Sequence, residues 1–489
     1  MRPLLAAAVT VTAFLLLALF ISCGGNGVPV SGFRGTQSLA SVSTSISDPA
    51  TCAAPIGPFS HIVLTVRDVR ANVNPNAPDN DPGVVDLTPN MTPVQIDLLG
   101  AASSQCILAQ LATNVQIPSG TYQQIRILLL DNNQTLASTD QCGVGNGVNC
   151  VVLTSDGSTH QIDLSAEATA GIKLTNAQIS GGSVLIVSGG QTVNLNLDIN
   201  GCTSVVPAAN GHFRLQPAVH AAAIDTNANN AITGRVVDSV TLAAISGKVF
   251  VALEQKNSTG ADRILLEVSP DGAGNFVLCP VPAGTYEVVA TAVNAANVAY
   301  AATVAVGVQP GANLGNVPLV AQPGSGPAST AATITGAITT AGPAGATAVD
   351  VVVSAMQNVI IPSLTPTSPT TVVPVTIPLA AQGFSTAIVT TLAGACVPAT
   401  VACGSYNLPV PAANPNFGVF NTSGTVYSQD VTSPVAYSVD GQAFFVTSPG
   451  TPDCIPSNLR VNTTSVGGPL TVSGGTTVTA ALLAFTGCQ

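Results

Sequence analysis

The sequence predicts an all-β protein: three consecutive β-sandwich domains of transthyretin-like or immunoglobulin-like type, behind a cleaved signal peptide. Short runs of alternating Val, Ile, Leu and Thr are separated by turn residues about every ten residues, a spacing typical of sandwiches. The chain contains 46 Gly and 35 Pro, which supply those turns. After residue 25 no stretch repeats its apolar residues at helical spacing. A length of 489 residues accommodates about two to four such domains.

The N-terminus has the features of a bacterial lipoprotein signal peptide over residues 1–22. Arg2 precedes an apolar run at 4–21, and the small residue Ser22 stands directly before Cys23. A cysteine in this position is lipidated on its sulfur, so Cys23 is the predicted lipidation site and the membrane is a predicted partner. The alternatives are an ordinary cleaved signal with a chance cysteine and an uncleaved anchor helix.

The segment after this signal, residues 23–48, is rich in Gly and Ser and is predicted to be a flexible tether. Gly24, rather than an aspartate, follows the cysteine, which predicts the outer membrane or the cell surface of a bacterium. The net charge is −11 and only 7% of the residues are charged. No basic stripe is present, so nucleic acid is not a predicted partner.

The chain has 11 cysteines, and setting Cys23 aside leaves an even number, which favours disulfides in an exported protein. Spacing predicts three bridges: Cys142–Cys150, Cys396–Cys403 and Cys454–Cys488. The remaining cysteines are Cys52, Cys106, Cys202 and Cys279. If all of them are paired, one bridge crosses between domains, because Cys279 alone lies in the second domain. The alternative is that Cys279 and one other thiol stay free.

Internal repeats divide the rest of the chain. ITGRV at 232–236 recurs as ITGAI at 334–338, and KVFVALEQ at 248–255 recurs as DVVVSAMQ at 350–357, so both pairs are offset by 102 residues. Such self-similarity favours a row of related modules. Extra residues in the third module carry Cys396 and Cys403 and predict a loop closed by its own disulfide. The predicted domains are residues 49–222, 231–320 and 332–489, with a Pro/Gly/Ser linker at 321–331.

A Gly-Thr/Ser-Tyr motif occurs three times, in IPSGTYQQIRILL at 117–129, VPAGTYEVVATAV at 281–293 and VACGSYNLPVPAA at 401–413. We expect each glycine to take the positive φ of a turn, and each tyrosine to bury its ring and reach the backbone with its hydroxyl. The motif therefore predicts a structural corner of each sandwich, and the alternative is a set of ligand-stacking tyrosines. The predicted corner residues are Gly120, Tyr122, Gly284, Tyr286, Gly404 and Tyr406.

Two stretches resemble known families. Residues 59–222 resemble the bacterial family called domain of unknown function 4382, through FSHIVLTVRDVRANV, IPSGTYQQIRILL, TVNLNLDI and FRLQPAVH in that order. That family occurs in exported bacterial proteins and has no assigned activity, so the resemblance implies no catalytic residue. Residues 231–320 resemble the carboxypeptidase regulatory-like domains, through ITGRVVD, KVFVALEQ and DGAGNFVLCPVPAGTYEVVATA. That resemblance implies a transthyretin-like sandwich, a fold shared with starch-binding modules.

No catalytic motif is present: the chain has no G-x-S-x-G, no P-loop and no H-E-x-x-H. No C-x-x-C occurs either, so neither a metal nor a cofactor is predicted. Two Asp/Asn-rich loops, 72–83 with Asp79 and Asp81 and 225–230, could hold calcium, and the alternatives are a polar turn and an interdomain linker. The four histidines are scattered and are predicted to be surface residues: His61, His160, His212 and His220.

These features together predict a non-enzymatic cell-surface lipoprotein with a structural or adhesive role, whose partner is a polysaccharide or another surface protein. The first alternative is a carbohydrate-binding surface module, and the second is an enzyme with an unrecognised site. Sugar recognition usually needs exposed flat rings. Trp is absent, and only Tyr300, Tyr427 and Tyr437 remain beyond the three motif tyrosines.

Overall fold

The computed structural model describes most of the chain after residue 37. The described residues are 38–47, 59–75, 77–78, 81–100, 106–136, 140–164, 167–175, 185–199, 201–207, 212–215, 219–224, 230–256, 262–342, 345–346, 350–361, 371–377, 386–429, 434–444, 460–462 and 469–486. The predicted signal peptide and Cys23 lie outside them. Within these ranges, no helix is both long and apolar enough to cross a membrane.

The first sandwich consists of two sheets. One has the strand order β15-β12-β1-β5, and the other has the order β10-β7-β2-β8-β9-β14-β13, with β3 and β4 also paired to β2 and a separate β6–β11 pair nearby. A single helical turn, α1 (Gly201–Ser204), follows β12. The strands are β1 (Leu39–Ser47), β2 (Phe59–Asn72), β3 (Val85–Asp86), β4 (Val94–Asp97), β5 (Ala109–Pro118), β6 (Gly120–Tyr122), β7 (Gln124–Leu129), β8 (Cys150–Leu153), β9 (Thr159–Asp163), β10 (Ile172–Thr175), β11 (Leu185–Val187), β12 (Thr192–Ile199), β13 (Val205–Pro207), β14 (Phe213–Leu215) and β15 (Val219–Ile224).

The second sandwich is smaller. Its strands are β16 (Ile232–Asp238), β17 (Gly247–Lys256), β18 (Asp262–Val268), β19 (Asn275–Leu278), β20 (Tyr286–Asn294), β21 (Thr303–Val308) and β22 (Asn313–Leu319). The order of one sheet is β19-β16-β22, and the other begins β18-β17-β20-β21. A short 3-10 helix, Gly326–Ser329, then leads to the third sandwich.

The third sandwich again has two sheets. Its strands are β23 (Ala332–Gly342), β24 (Gly345–Ala346), β25 (Asp350–Ile361), β26 (Thr371–Thr376), β27 (Thr386–Thr390), β28 (Leu392–Ala393), β29 (Ala402–Val410), β30 (Asn416–Val419), β31 (Tyr427–Gln429), β32 (Ala436–Phe444), β33 (Arg460–Asn462), β34 (Leu470–Thr471), β35 (Thr477–Thr479) and β36 (Leu483–Thr486). One sheet centres on β23 with β29, β35 and β36, and the other on β25 with β26, β27 and β32. The all-β prediction is confirmed.

The same strand arrangement recurs in all three sandwiches. The first strand of each (β1, β16, β23) lies between an antiparallel partner (β5, β19, β29) and a parallel partner (β12, β22, and β35 with β36). The second long strand (β2, β17, β25) pairs antiparallel with the strand that follows the corner region (β7, β20, β32). The 102-residue offset in the sequence therefore corresponds to β16 with β23 and β17 with β25.

Each sandwich buries its alternating apolar residues between its two sheets. In the first, Val42 of β1 and Leu195 of β12 pack in one core with Ile62 of β2 and Ile127 of β7. Equivalent cores lie in the second and third sandwiches. Alternation places every second side chain of a strand on the same face, so in TVNLNLDI the apolar residues face the core and the polar residues, including the buried Asn196 and Asp198, lie on the opposite face.

The predicted tether, residues 23–48, is wrong over Leu39–Ser47, because this segment forms β1 in the centre of a sheet. Ala40, Val42 and Ile46 are buried in the core, while serines occupy the intervening positions. The serine-rich composition suggested a linker, but the period-two alternation of apolar residues is that of a strand.

The third unit contributes two strands to the second sandwich. Between β29 and β32 the chain makes an excursion whose hairpin, β30–β31, extends the second sandwich's sheet to β18-β17-β20-β21-β30-β31. β30 runs parallel to β21, with Thr303 opposite Asn416 and Val306 opposite Val419. The Asn416 amide donates to the Ala302 carbonyl at 2.7 Å. This inserted hairpin was not expected from the sequence, which indicated only the loop at Cys396 and Cys403.

The hairpin also joins the two cores. Phe420 and Tyr427 pack against the core of the second sandwich. In return, Val289, Ala302 and Val304 of the second sandwich belong to the core of the third. The sheet of the second sandwich is therefore covered on both faces, and the second and third sandwiches share their packing.

The segment 321–331, the predicted Pro/Gly/Ser linker, is an ordered connector with its own hydrogen bonds. Gln322 is 4% exposed. Its side-chain amide donates to the carbonyls of Ala328 at 2.7 Å and Thr330 at 2.8 Å, and its side-chain oxygen accepts from the Ala412 amide at 2.8 Å. One buried side chain thus ties the connector to the chain just before β30.

Replacing Gln322 with Ala should destabilise this junction, because two buried carbonyls and one amide lose their partners. Each unsatisfied buried group costs about 1–3 kcal/mol. Hydrogen exchange at 320–332 and at the start of the inserted hairpin should accelerate about tenfold or more. Gln309→Ala, at an exposed position, is the matched control. If both variants exchange like the parent, the segment behaves as a free linker.

Candidate functional site

The first predicted corner residues, Tyr122 and Tyr286, occupy equivalent places in the first and second sandwiches. Both rings are fully buried. The Tyr122 hydroxyl donates to the Pro118 carbonyl at 2.7 Å, and the Tyr286 hydroxyl donates to the Pro282 carbonyl at 2.8 Å. The first bond joins the end of β5 to the residues that lead into β7, and the second joins the segment after β19 to the start of β20, as in a structural corner.

The motif glycines do not take the positive φ that the sequence predicted for them. Neither Gly120 nor Gly284 has a positive φ, and Gly404 lies within β29 without one. A side-chain carbon added at Gly284 would lie 2.9 Å from the Tyr286 hydroxyl oxygen. Gly284 is therefore needed for the close approach of the phenol, whereas Gly120 has ordinary space around it.

Tyr406 does not form the third corner. It lies in the middle of β29, directly opposite Gly336 of β23, and its buried hydroxyl has no hydrogen-bond partner among the described residues. Phe276 of β19 occupies the equivalent place in the second sandwich, opposite Gly234 of β16. In both units the aromatic ring covers the glycine: a carbon added at Gly234 would lie 2.6 Å from Phe276, and one added at Gly336 would overlap Tyr406.

Tyr437 forms the third corner instead. It is fully buried near the start of β32, the strand equivalent to β20, and its hydroxyl donates to the Pro411 carbonyl at 2.8 Å. The inserted hairpin separates proline and tyrosine by 26 residues here, against 4 in the other two corners. The local Gly-Ser-Tyr match pointed to the wrong tyrosine because the insertion moved the right one away.

Three disulfides connect described cysteines. Cys142 bonds Cys150, Cys396 bonds Cys403, and Cys106 bonds Cys279. The last of these joins the first and second domains, as expected from the alternative in which all four remaining cysteines are paired. Cys52, Cys454 and Cys488 lie outside the described residues, and Cys202 lies in α1 without a described side chain.

The two short bridges close exposed loops whose tips carry apolar residues. Val144 lies in the first loop and is 106% exposed, and Val397 lies in the second and is 96% exposed. Asn132 holds the base of the first loop, because its side-chain oxygen accepts from the amides of Val148 and Asn149 at 3.1 and 3.0 Å. A disulfide thus closes the base of each loop, and Asn132 also supports the first.

The four histidines lie at separate places. His61 pairs with Asp97 at 2.7 Å and His212 with Asp163 at 3.0 Å. His220 lies half-buried in β15, and burial lowers its pKa to about 4. No group of three or more His, Cys, Asp or Glu side chains in the described part of the chain could hold a metal ion.

The turn before β9 contains the arrangement closest to a hydrolytic site. The Ser158 hydroxyl donates to the Asp156 carboxylate at 2.7 Å. The ring nitrogen Nε2 of His160 lies 2.8 Å from the hydroxyl oxygen of Ser158. A nucleophilic serine needs its proton on the histidine side, with the carboxylate behind the imidazole. Here the serine hydroxyl donates its hydrogen bond directly to the carboxylate in an exposed turn, so the geometry is that of a polar turn.

The candidate calcium loops can be described only in part. Residues 225–229 and Asp79 lie outside the described residues. Asp81 accepts from the Gly83 amide at 2.6 Å, and this bond holds the pKa of Asp81 below its usual value. The carboxylate thereby closes its own turn.

Several acidic side chains are buried, although the chain has few charges. The register places Glu254, Glu267 and Glu287 on the face of the second sandwich's sheet that the third unit covers. Glu254 accepts from the Thr376 amide at 3.1 Å, and Glu287 pairs with Lys256 at 3.1 Å. Burial raises the pKa of Glu267 well above its usual value.

Asp198 of β12 is a second buried acid, on the face of its sheet opposite the core. It is 6% exposed and accepts from the Ser47 hydroxyl at 2.7 Å. Burial raises its pKa from 3.8 to about 7, which the Ser47 hydrogen bond only partly offsets. Ser45, Asn196 and Ser47 continue the same hydrogen-bonded row across β1 and β12. The row has the character of a buried structural network.

The chain is thus an all-β protein of three joined sandwiches, and comparisons with known proteins add the following. Residues 39–217 match the family model described as "Domain of unknown function (DUF4382)". The resemblance seen in the sequence is confirmed, and the match starts 20 residues earlier than residue 59, so that it includes β1. No curated protein matches the chain.

Similar solved structures include two pilins. The minor pilin GBS52 of Streptococcus agalactiae is 11% identical, covers 53% of this chain and 95% of its own, with a TM-score of 0.15. The shaft pilin SpaA of Lactobacillus rhamnosus GG, as a double mutant, is 12% identical, covers 59% and 99%, with a TM-score of 0.17. A DUF3823 family protein of Bacteroides uniformis is 11% identical, covers 50% and 98%, with a TM-score of 0.15. These identities extend no residue role to this chain.

The corner assignment predicts that Tyr→Phe destabilises the protein at Tyr437 and Tyr286 but not at Tyr406. Tyr437→Phe removes a buried hydrogen bond and should lower the opening free energy of β32 by about 0.5–1.5 kcal/mol. Tyr286→Phe should cost β20 the same, and Tyr286→Ala about 3–5 kcal/mol, because a buried ring is lost. Tyr406→Phe removes an unpartnered hydroxyl and should cost nothing or stabilise. Amide hydrogen exchange measures each strand. Equal losses at Tyr406 and Tyr437 would contradict the assignment.

Asp198→Asn should change the pH dependence of the first sandwich. The folded pKa of about 7 lies above the unfolded value of 3.8, so the folded state holds a proton that the unfolded state releases as pH rises. The parent's stability should therefore fall between about pH 4 and pH 7, by up to about 4 kcal/mol. Asn keeps the acceptor for Ser47 and removes this decline. Hydrogen exchange of β1 and β12 at pH 4 and pH 8 measures the difference, and parallel profiles would refute the assignment of a buried neutral acid.

Proposed function

We propose that the chain is a non-enzymatic cell-surface lipoprotein that holds three sandwiches in a fixed arrangement and serves a structural or adhesive role. The observation that carries the proposal is the construction of the junctions. Domains in one chain usually move relative to one another unless their interface is large and apolar. Here the Cys106–Cys279 bridge joins the first two sandwiches, and the β30–β31 hairpin builds part of the third unit into the sheet of the second.

Fixed junctions suit a protein that projects a surface from a membrane and not one that closes around a small molecule. The proposed anchor is lipidated Cys23, and the proposed location is the outer membrane or cell surface of a bacterium. The disulfides support an exported protein, because such bridges persist in oxidising compartments.

The proposed partner is another surface protein. Val144 and Val397, at the tips of two disulfide-closed loops, offer exposed apolar contacts on rigid supports. By contrast, none of the described Phe or Tyr side chains is exposed; Tyr300 and Tyr437 are buried and Tyr427 is half-buried. No observation therefore favours a stacking platform for polysaccharide.

Adherence tests the partner class. Cells that display the chain should adhere to protein-coated surfaces, and a Val144→Ser, Val397→Ser variant should lose most of that adherence while it keeps its surface level. Val240→Ser, at another exposed valine that lies in a turn without a disulfide, is the control. Selective adherence to polysaccharide-coated surfaces, unaffected by the two substitutions, would favour the carbohydrate-binding alternative.

Cell fractionation tests the anchor. The parent should appear in the outer-membrane fraction, and Cys23→Ser should move to the soluble fraction because the lipid is lost. The matched control, Cys396→Ser with Cys403→Ser, removes other cysteines and should stay in the membrane. Membrane association of the processed Cys23→Ser variant would show that Cys23 is not the anchor.

A further inference from the structure

The Cys106–Cys279 bridge occupies a special place in the topology. Cys106 stands just before β5, and Cys279 stands directly after β19. β5 and β19 are the equivalent antiparallel partners of β1 and β16. The two Cα atoms lie 5.5 Å apart although 173 residues separate them in sequence. The bridge therefore closes a covalent loop that contains β5 to β19.

Tension applied at the two ends of a cross-linked chain follows the shortest covalent path. From the N-terminal side it passes through β1 to β4 and reaches Cys106. It then crosses the bridge to Cys279 and continues through β20 to β22 into the third unit. Residues 107–278 lie outside this path.

We propose that the Cys106–Cys279 bridge is a tension-bearing cross-link that shields residues 107–278 from force while the protein holds a partner. This inference rests on the proposed function, since it takes the chain as anchored at one end and bound towards the other. Fully extended, the shielded loop would add roughly 600 Å of chain, at about 3.5 Å per residue. The bridge keeps that length from being released.

The strand pairing makes the shield useful. Four strands on the tension path pair with strands of the shielded loop: β1 with β5 and β12, β2 with β7, β20 with β17, and β22 with β16. If tension pulls the first set of strands away, the second set remains folded beside them or close at hand. The released strands then pair again by closing a short loop, which lowers the entropic cost of re-forming the sheets.

Force spectroscopy on the full chain from residue 24, held by handles at both ends, tests the proposal. Cys23 is absent from this chain, and Cys52→Ser and Cys202→Ser are included throughout, so that no other long-range bridge in this region contributes. Against that parent, Cys106→Ser with Cys279→Ser should lengthen the fully unfolded chain by roughly 600 Å. Cys142→Ser with Cys150→Ser, whose bridge lies inside the shielded loop, should leave the unfolded length unchanged.

A second measurement covers the case in which the variant does not fold. The parent is held at constant force after its unshielded strands have unfolded, and dithiothreitol is added. A thiolate of the reagent attacks one bridge sulfur and displaces the other as a thiolate; the reagent's second thiol then closes a cyclic disulfide and frees the first cysteine. Extension should then grow by roughly 600 Å in one or several steps. No such growth, or equal unfolded lengths with and without the bridge, would overturn the proposal.

These outcomes are independent of the cellular location. A chain that fails the fractionation test for Cys23 but gains the expected length has the cross-link without the proposed surface role. A chain in the outer membrane that gains no length keeps the surface role and lacks the shield.

Discussion

The parallel pairing of β21 with β30 is the contact on which the arrangement of the second and third sandwiches depends. Without it, β21 would be an open edge, and the outer face of its sheet would expose Val289, Ala302 and Val304, which the third core now covers. The pairing also explains the sequence of β20. Residues from Tyr286 to Ala292 are all buried, so this strand is a nearly continuous apolar run instead of an alternating one. A strand with apolar residues on both faces needs a second layer of structure to cover its outer face, and the third unit supplies that layer.

Much of the fold could be predicted from local pattern and internal repetition. Period-two alternation gave the all-β class, and the 102-residue offset correctly paired β16 with β23 and β17 with β25. What could not be predicted were pairings between distant segments. The β30–β31 hairpin is a short alternating stretch like many others, and nothing local indicates that its partner belongs to another unit. β1 was missed for a different reason: its serines form a buried hydrogen-bonded row with Asn196 and Asp198, so polar composition concealed a central strand.

The corner residues show how a motif can match locally and fail topologically. Tyr406 shares a Gly-x-Tyr pattern with Tyr122 and Tyr286, but it lies opposite Gly336 of the neighbouring strand β23. Phe276 lies opposite Gly234 of β16 in the same way. The signal that would have found Tyr437 is the glycine of the repeated ITG motif, because the aromatic residue opposite this glycine covers it and is not the corner tyrosine. A corner tyrosine must instead lie after the strand that carries this aromatic residue, at or near the start of the long strand that follows. Strand order, and not residue spacing, decides the role.

With so few charged residues in this chain, the register between neighbouring strands is weakly specified, and cross-links at strand ends help to fix it. Only 7% of its residues are charged, and its strands repeat Val, Thr, Ala and Ile. A slip of two residues between such strands returns apolar side chains to the same face, so alternation and ion pairs alone specify register weakly. The described disulfides and the tyrosine–proline bonds act at strand ends: Cys150 starts β8, Cys279 follows β19, and the Pro118 carbonyl ends β5. A fixed end leaves one register for the rest of the strand. Register in this protein is therefore set at the ends of strands by a few specific bonds, while burial along the strands supplies most of the stability.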